Sequence, residues 1–137
     1  MLHDPEGVAE TRGWLVKSAK DLRAAAILVE ATPPLLDEAV FHCQQAAEKA
    51  LKGFLAFHDV PFRKTHNLEE IGEQCIGVDA TLRELIDQAA PLTEYAWKFR
   101  YPGDPESVDE NEAAEALAIA RKVYGGVEAR VPQDCRP

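Results

Sequence analysis

Between Trp14 and Leu55 apolar residues recur every three or four positions, and the pattern breaks at Thr32-Pro33-Pro34. That period keeps one stripe of a helix against a core. Two prolines in a row cannot lie inside a helix, because each lacks the backbone donor that the helical ladder needs. The chain must therefore begin as two long helices with a very short connection, which makes them an antiparallel pair. The first is predicted from Pro5 to about Ala31, with Asp4 as N-cap, Glu6 in the first turn, and Leu15, Ala19, Leu22, Ala26 and Val29 as its inward stripe. The second is predicted from about Leu35 to His58, with Val40, Cys43, Ala47, Ala50 and Phe54 facing inward.

Beyond His58 the signals are shorter. Asp59 to Thr65, with Pro61, reads as a loop, and Asn67 followed by Glu70 has the spacing of a capping box for a short helix from about Leu68 to Cys75, ended by Gly77. Asp79 can cap a fourth helix carrying Leu82, Leu85, Ile86, Ala89, Ala96 and Phe99, which Pro91 should kink or split. Tyr101 to Pro105 is a loop. The last helix is predicted from about Val108 to Arg130 behind a Ser107–Glu110 capping box, with Gly125 and Gly126 weakening its final turns and the tail after Val131 fraying. The expected fold is all-α: an up-and-down four-helix bundle with an additional short helix, one domain over residues 1–137 with its core in about 5–130.

Composition narrows the functions. The chain has 46% hydrophobic and 28% charged residues, as globular proteins do, and lacks an apolar run of the roughly 20 residues that a membrane span needs. Met1 to Glu10 has neither the basic start nor the apolar stretch of a secretory signal, so a cytoplasmic location is the expectation. Cys43, Cys75 and Cys135 show no CxxC spacing and read as reduced thiols. His42, His58 and His66 match no metal-ligand spacing, so no metal or cofactor is expected. A net charge of −9 argues against non-specific nucleic-acid binding, which draws its affinity from a basic surface, and confines any phosphate site to a local basic patch.

The second helix carries the most distinctive residues. His42, Gln45, Lys49 and Lys52 are spaced three, four and three apart and share one stripe, with Glu48 one turn before Lys52. This stripe is either a solvated face with ordinary helix pairs or a polar ridge that meets another helix or a phosphate. Lys64 and His66 lie in the loop before the short helix, where positive charge and backbone donors together suit an anion. Tyr95, Trp97, Phe99 and Tyr101 read as core and interface aromatics.

The stretch Phe41-His-Cys-Gln-Gln-Ala-Ala-Glu-Lys-Ala-Leu-Lys52, then Lys64-Thr-His-Asn-Leu68, then Tyr95-Ala-Trp-Lys-Phe-Arg-Tyr-Pro102, with Trp14-Leu15 and Asp21-Leu22 ahead of them, resembles the HEPN family (higher eukaryotes and prokaryotes nucleotide-binding). The resemblance implies a helical bundle that dimerises and is often encoded beside a minimal nucleotidyltransferase. Some members are metal-independent ribonucleases, including toxins, marked by an arginine that precedes a histidine by a short fixed spacing. His3, His42, His58 and His66 lack an arginine at that spacing, and Arg100, in the stretch that aligns with the motif, runs into Tyr101-Pro102 instead. The expectation is therefore a non-catalytic binding module, a homodimer that binds a nucleotide, a minimal nucleotidyltransferase partner, or both. Its candidate nucleotide-binding residues are His42, Lys49, Lys52, Lys64, His66 and Arg100. The alternative is a toxin-type ribonuclease with a composite site built from Arg100 and His42 or His66.

Overall fold

A computed structural model describes residues 4–103 and 107–137. Among them are five α-helices and no strand: α1 (Pro5–Glu30), α2 (Leu36–Phe57), α3 (Leu68–Val78), α4 (Arg83–Ala89) and α5 (Glu110–Glu128), with short 3-10 segments at Ala80–Leu82, Ala90–Ala96 and Gln133–Cys135. The all-α bundle expected from the sequence is what forms, and no helix among the described residues is long and apolar enough to cross a membrane.

The first two helices form the antiparallel pair, and α1 lies along α2 as the main packing of the molecule. Asp4 caps α1 by accepting from the Glu6 amide at 3.2 Å, behind Pro5 at the first position. The inward face is rotated from the expected one: it runs through Thr11, Leu15, Ser18, Asp21 and Ala25, while Leu22, Ala26 and Val29 are only half-buried at its margin. Hydrophobicity misplaced the stripe because three of its members are polar, and two of them, Ser18 and Asp21, are satisfied by α2. The Ser18 hydroxyl, for example, donates to the Ala46 carbonyl at 2.7 Å.

Helix α2 is the central element, packed by α1, α3, α5 and the Ala90–Ala96 segment. Val40, Cys43, Ala47, Ala50 and Phe54 are buried as expected, but so are Gln44, Glu48 and Lys52 on its other sides. Burial pushes the Cys43 and Cys75 thiols up to about 12, so both stay protonated at neutral pH.

Elsewhere local signals were partly overridden. Asn67 caps α3 by accepting from the Glu69 and Glu70 amides at 2.9 and 3.2 Å, but the reciprocal half of the capping box is absent because Glu70 is held by Arg63 at 2.8 and 2.9 Å. Gly77 does not end α3. The helix continues to Val78, and Asp79 stops it, then accepts from the Thr81 amide and hydroxyl to start the next turn. Those bonds, and the Arg130 guanidinium beside it, hold the Asp79 carboxyl below the usual range. The expected fourth helix is short, and it tightens into the 3-10 segment around Pro91. The N-cap of α5 is Asp109, which accepts from the Glu112 amide at 2.8 Å. Ser107 is not the cap, since its hydroxyl and the Val108 amide both donate to Asp37 and tie this end to the start of α2. Nor does the tail fray: Val131 and Cys135 are buried, and Gln133–Cys135 packs on α1.

Gly72 lets α3 approach α4, because a Cβ there would strike the buried Ile86 side chain from three directions. With Ile86 already enclosed, Gly72→Ala is expected to destabilise the fold by about 1–3 kcal/mol, read as a lowered midpoint in urea denaturation with an unchanged slope.

Candidate functional site

Four of the six candidate residues contact two buried carboxylates. Glu48 is 4% exposed, and its Oε1 accepts from His66 Nδ1 at 2.7 Å and from Gln44 Nε2 at 3.1 Å, while its Oε2 accepts from Lys52 Nζ at 3.0 Å. Gln44 also donates to the His66 carbonyl, so the loop before α3 is fastened to α2 by side chain and backbone together. Lys52 is buried, with its ammonium 5.8 Å from the Trp14 ring centroid and 5.7 Å from that of Phe62. Its charge is balanced on every side, and it is not an accessible phosphate ligand. Lys49 belongs to the other carboxylate: Asp21, on the inward face of α1, accepts from Lys49 Nζ at 2.7 Å and is joined to His42 Nδ1 at 2.8 Å.

The polar stripe of α2 is thus neither a solvated face nor a free ridge. It is the seam by which α1 and the Lys64 to His66 loop hold α2. Lys64 stands apart, exposed in that loop.

Two of the six candidates also come together. His42 and Arg100 line one groove of about 280 Å³ with Asp37, Glu38, Phe41 and Phe99. The Arg100 guanidinium lies 4.5 Å from the Phe41 ring centroid, and the His42 ring meets Phe41 edge-on at 5.4 Å. Both polar groups therefore sit against the same aromatic. Arg100 Nη1 donates to the Ala96 carbonyl at 3.0 Å, which anchors the guanidinium while stacking leaves its edge for a ligand. Phe99 has a φ of 65°, a left-handed conformation that costs a bulky residue on the order of 1–2 kcal/mol. Its ring stacks on Tyr95 at 6.4 Å, and the Tyr95 hydroxyl donates to Glu112. Burial, the bond to Glu112 and neighbouring negative charge raise the Tyr95 phenol well above its ordinary value. Trp97 and Tyr101 are 56% and 67% exposed beyond this segment, so of the four aromatics only Tyr95 belongs to the core.

The sequence reading missed Asp21 as a site residue. A signal existed: it falls three residues after Ser18 and four before Ala25, on a face that packs inward, and a buried carboxylate must have partners. Phe41 was missed because its role depends on Arg100, which is remote in sequence. Among the described residues no group of three or more His, Cys, Asp or Glu side chains is arranged to hold a metal ion.

Comparison with known proteins matches residues 11–130 to the family described as HEPN domain. Two solved structures are similar. ST0689, described as an archaeal HEPN homologue, is 22% identical with a TM-score of 0.73 over 90% of this chain and 98% of its own. TT1696 from Thermus thermophilus is 27% identical with a TM-score of 0.77 over 89% of this chain and 98% of its own. No curated protein matches.

Removing one member of the Glu48 cluster should be costly, because the opposite charge is then left in the interior. Glu48→Ala is expected to lose about 3–5 kcal/mol. The double variant Glu48→Leu with Lys52→Met should recover a large part of that loss in chemical denaturation, since neither charge then remains.

Proposed function

The chain belongs to the HEPN domain family, and on that premise we propose that it is a non-catalytic binding module. In this reading it works as a homodimer that takes a nucleotide through its phosphate in the Phe41–Arg100 groove, or meets a minimal nucleotidyltransferase partner over the same face. The observation that carries the reading is the juxtaposition of Arg100 and His42 against one aromatic ring, in a groove bordered by the strained Phe99. A guanidinium edge takes a phosphate, and Phe41 and Phe99 offer apolar faces to a base. Lys49 supports the site indirectly, by satisfying Asp21, the carboxylate that holds His42.

The groove also carries Asp37 and Glu38. Asp37 already accepts from Val108 and Ser107, yet both carboxylates disfavour a highly charged ligand. A nucleoside monophosphate should therefore bind several-fold more tightly than the triphosphate in calorimetry at modest salt, and Arg100→Ala should abolish both while leaving the helical spectrum unchanged. Absence of heat with either nucleotide at millimolar concentration would leave the partner-binding role without its nucleotide.

Dimer formation is supported by the family and by the exposed Leu35, Trp97 and Tyr101. Light scattering at micromolar concentration should report twice the chain mass, and a monomer would count against the dimer.

The composite ribonuclease is the second reading, favoured by the Asp21–His42 contact, since an imidazole oriented by a carboxylate is an arrangement fit for general-base work. It stands behind the first because, among the described residues, the groove is lined by a single imidazole. Degradation of transfer or messenger RNA by the purified protein, lost in both Arg100→Ala and His42→Ala, would reverse that order.

A further inference from the structure

The two oxygens of Asp21 have different partners, and the difference decides what His42 can do. One oxygen accepts from the Lys49 ammonium at 2.7 Å, the other meets His42 Nδ1 at 2.8 Å, and the residue is 8% exposed. A carboxylate paired with an ammonium is ionised and offers acceptors only. His42 Nδ1 must then carry the hydrogen of that contact. In the neutral ring the other nitrogen, Nε2, has a lone pair and no proton. The ring is 32% exposed and stands on the wall of the groove, so the edge left for a ligand is that of Nε2.

A bare ring nitrogen does not attract phosphate, because both are acceptors. The anion and the imidazole must be met by different parts of one ligand: an anionic oxygen at Arg100 and a hydrogen donor at His42, both beside Phe41. Within a nucleotide, the neutral donors that accompany the phosphate along the sugar are the ribose hydroxyls. Among the described residues the other charged groups that line the groove, Asp37 and Glu38, are acceptors too and do not compete for the role of donor.

We propose that the groove selects nucleotides that carry a sugar hydroxyl, because Asp21 positions His42 with Nε2 as the acceptor of that hydroxyl. The inference rests on the nucleotide reading of the same groove, and deepens it by naming a specificity-determining residue, His42, and a positioning residue, Asp21. Its logic is that of any site built to hydrogen-bond a hydroxyl, which penalises the analogue that lacks it by leaving a polar group unpaired.

The test uses the full chain, with AMP and 2′,3′-dideoxy-AMP as probes. Long-range proton–nitrogen spectra of the imidazoles first identify the tautomer and a pH at which His42 is neutral, and calorimetry is done there. The expected result is a hydrogen on Nδ1 of His42, with AMP binding about tenfold more tightly than the dideoxy analogue. In His42→Ala that ratio should fall to about one, and Asp21→Ala should move the hydrogen towards Nε2. Equal binding of both probes to the wild type, still abolished by Arg100→Ala, would overturn the selectivity and leave the nucleotide reading intact. A hydrogen on Nε2 in the neutral wild-type ring would overturn the positioning role of Asp21. Binding of neither probe would overturn both readings together.

Discussion

Two carboxylates taken out of water determine how the first half of this chain is assembled. Asp21 and Glu48 lie 8% and 4% exposed, where an unpaired charge would cost several kcal/mol, and each is surrounded by donors from another part of the chain or another turn of α2. Asp21 ties α1 to α2 through Lys49 and His42, and Glu48 ties α2 to the loop before α3 through His66. Apolar burial drives the helices together, as it would for any bundle. The donors then select the rotation and register at which every charge is met, because a slip of one residue would leave a carboxylate facing apolar side chains.

Such a seam explains which parts of the fold and site were legible in the sequence. The α1–α2 hairpin was readable because Pro33 and Pro34 and the three-and-four spacing act locally, and the kink at Pro91 for the same reason. The inward face of α1 was misplaced because Ser18 and Asp21 look like surface residues until their partners on α2, more than twenty positions away, are known. Ser107 resembled an N-cap, but Asp37 in the first turn of α2, remote in sequence, claimed it and left the cap to Asp109. Gly77 and the tail fall in the same class: α3 runs on past Gly77 until Asp79 stops it, and Val131 and Cys135 find burial against the bundle. Long-range partners decided each of these cases, and no local pattern records them.

The site shows the same division. The motif residues on α2 and around Arg100 were visible as a set, but not their allocation. Lys49 and Lys52 were grouped with His42 as a basic cluster because they share a stripe, whereas the fold neutralises both lysines from within and leaves only His42 of that stripe on the groove. Arg100 joins it through Phe41, a contact that depends on the packing of the Ala90–Ala96 segment against α2.

That allocation bears on how an acidic chain can hold an anion at all. At a net charge of −9 the field around the molecule repels polyphosphates, and Lys49 and Lys52 contribute little because each is already paired with a carboxylate. What remains is a stacked guanidinium whose planar edge delivers directed hydrogen bonds over a short range, where geometry counts for more than the distant field. A site of this kind gains its selectivity from the neutral contacts around the charge. In this chain those are the Phe41 and Phe99 rings and the Nε2 edge of His42, and the last is oriented by the same Asp21 that joins α1 to α2. In the proposed site recognition and folding share a residue, so the seam that sets the register of the helices would also set the face that the imidazole presents to a ligand.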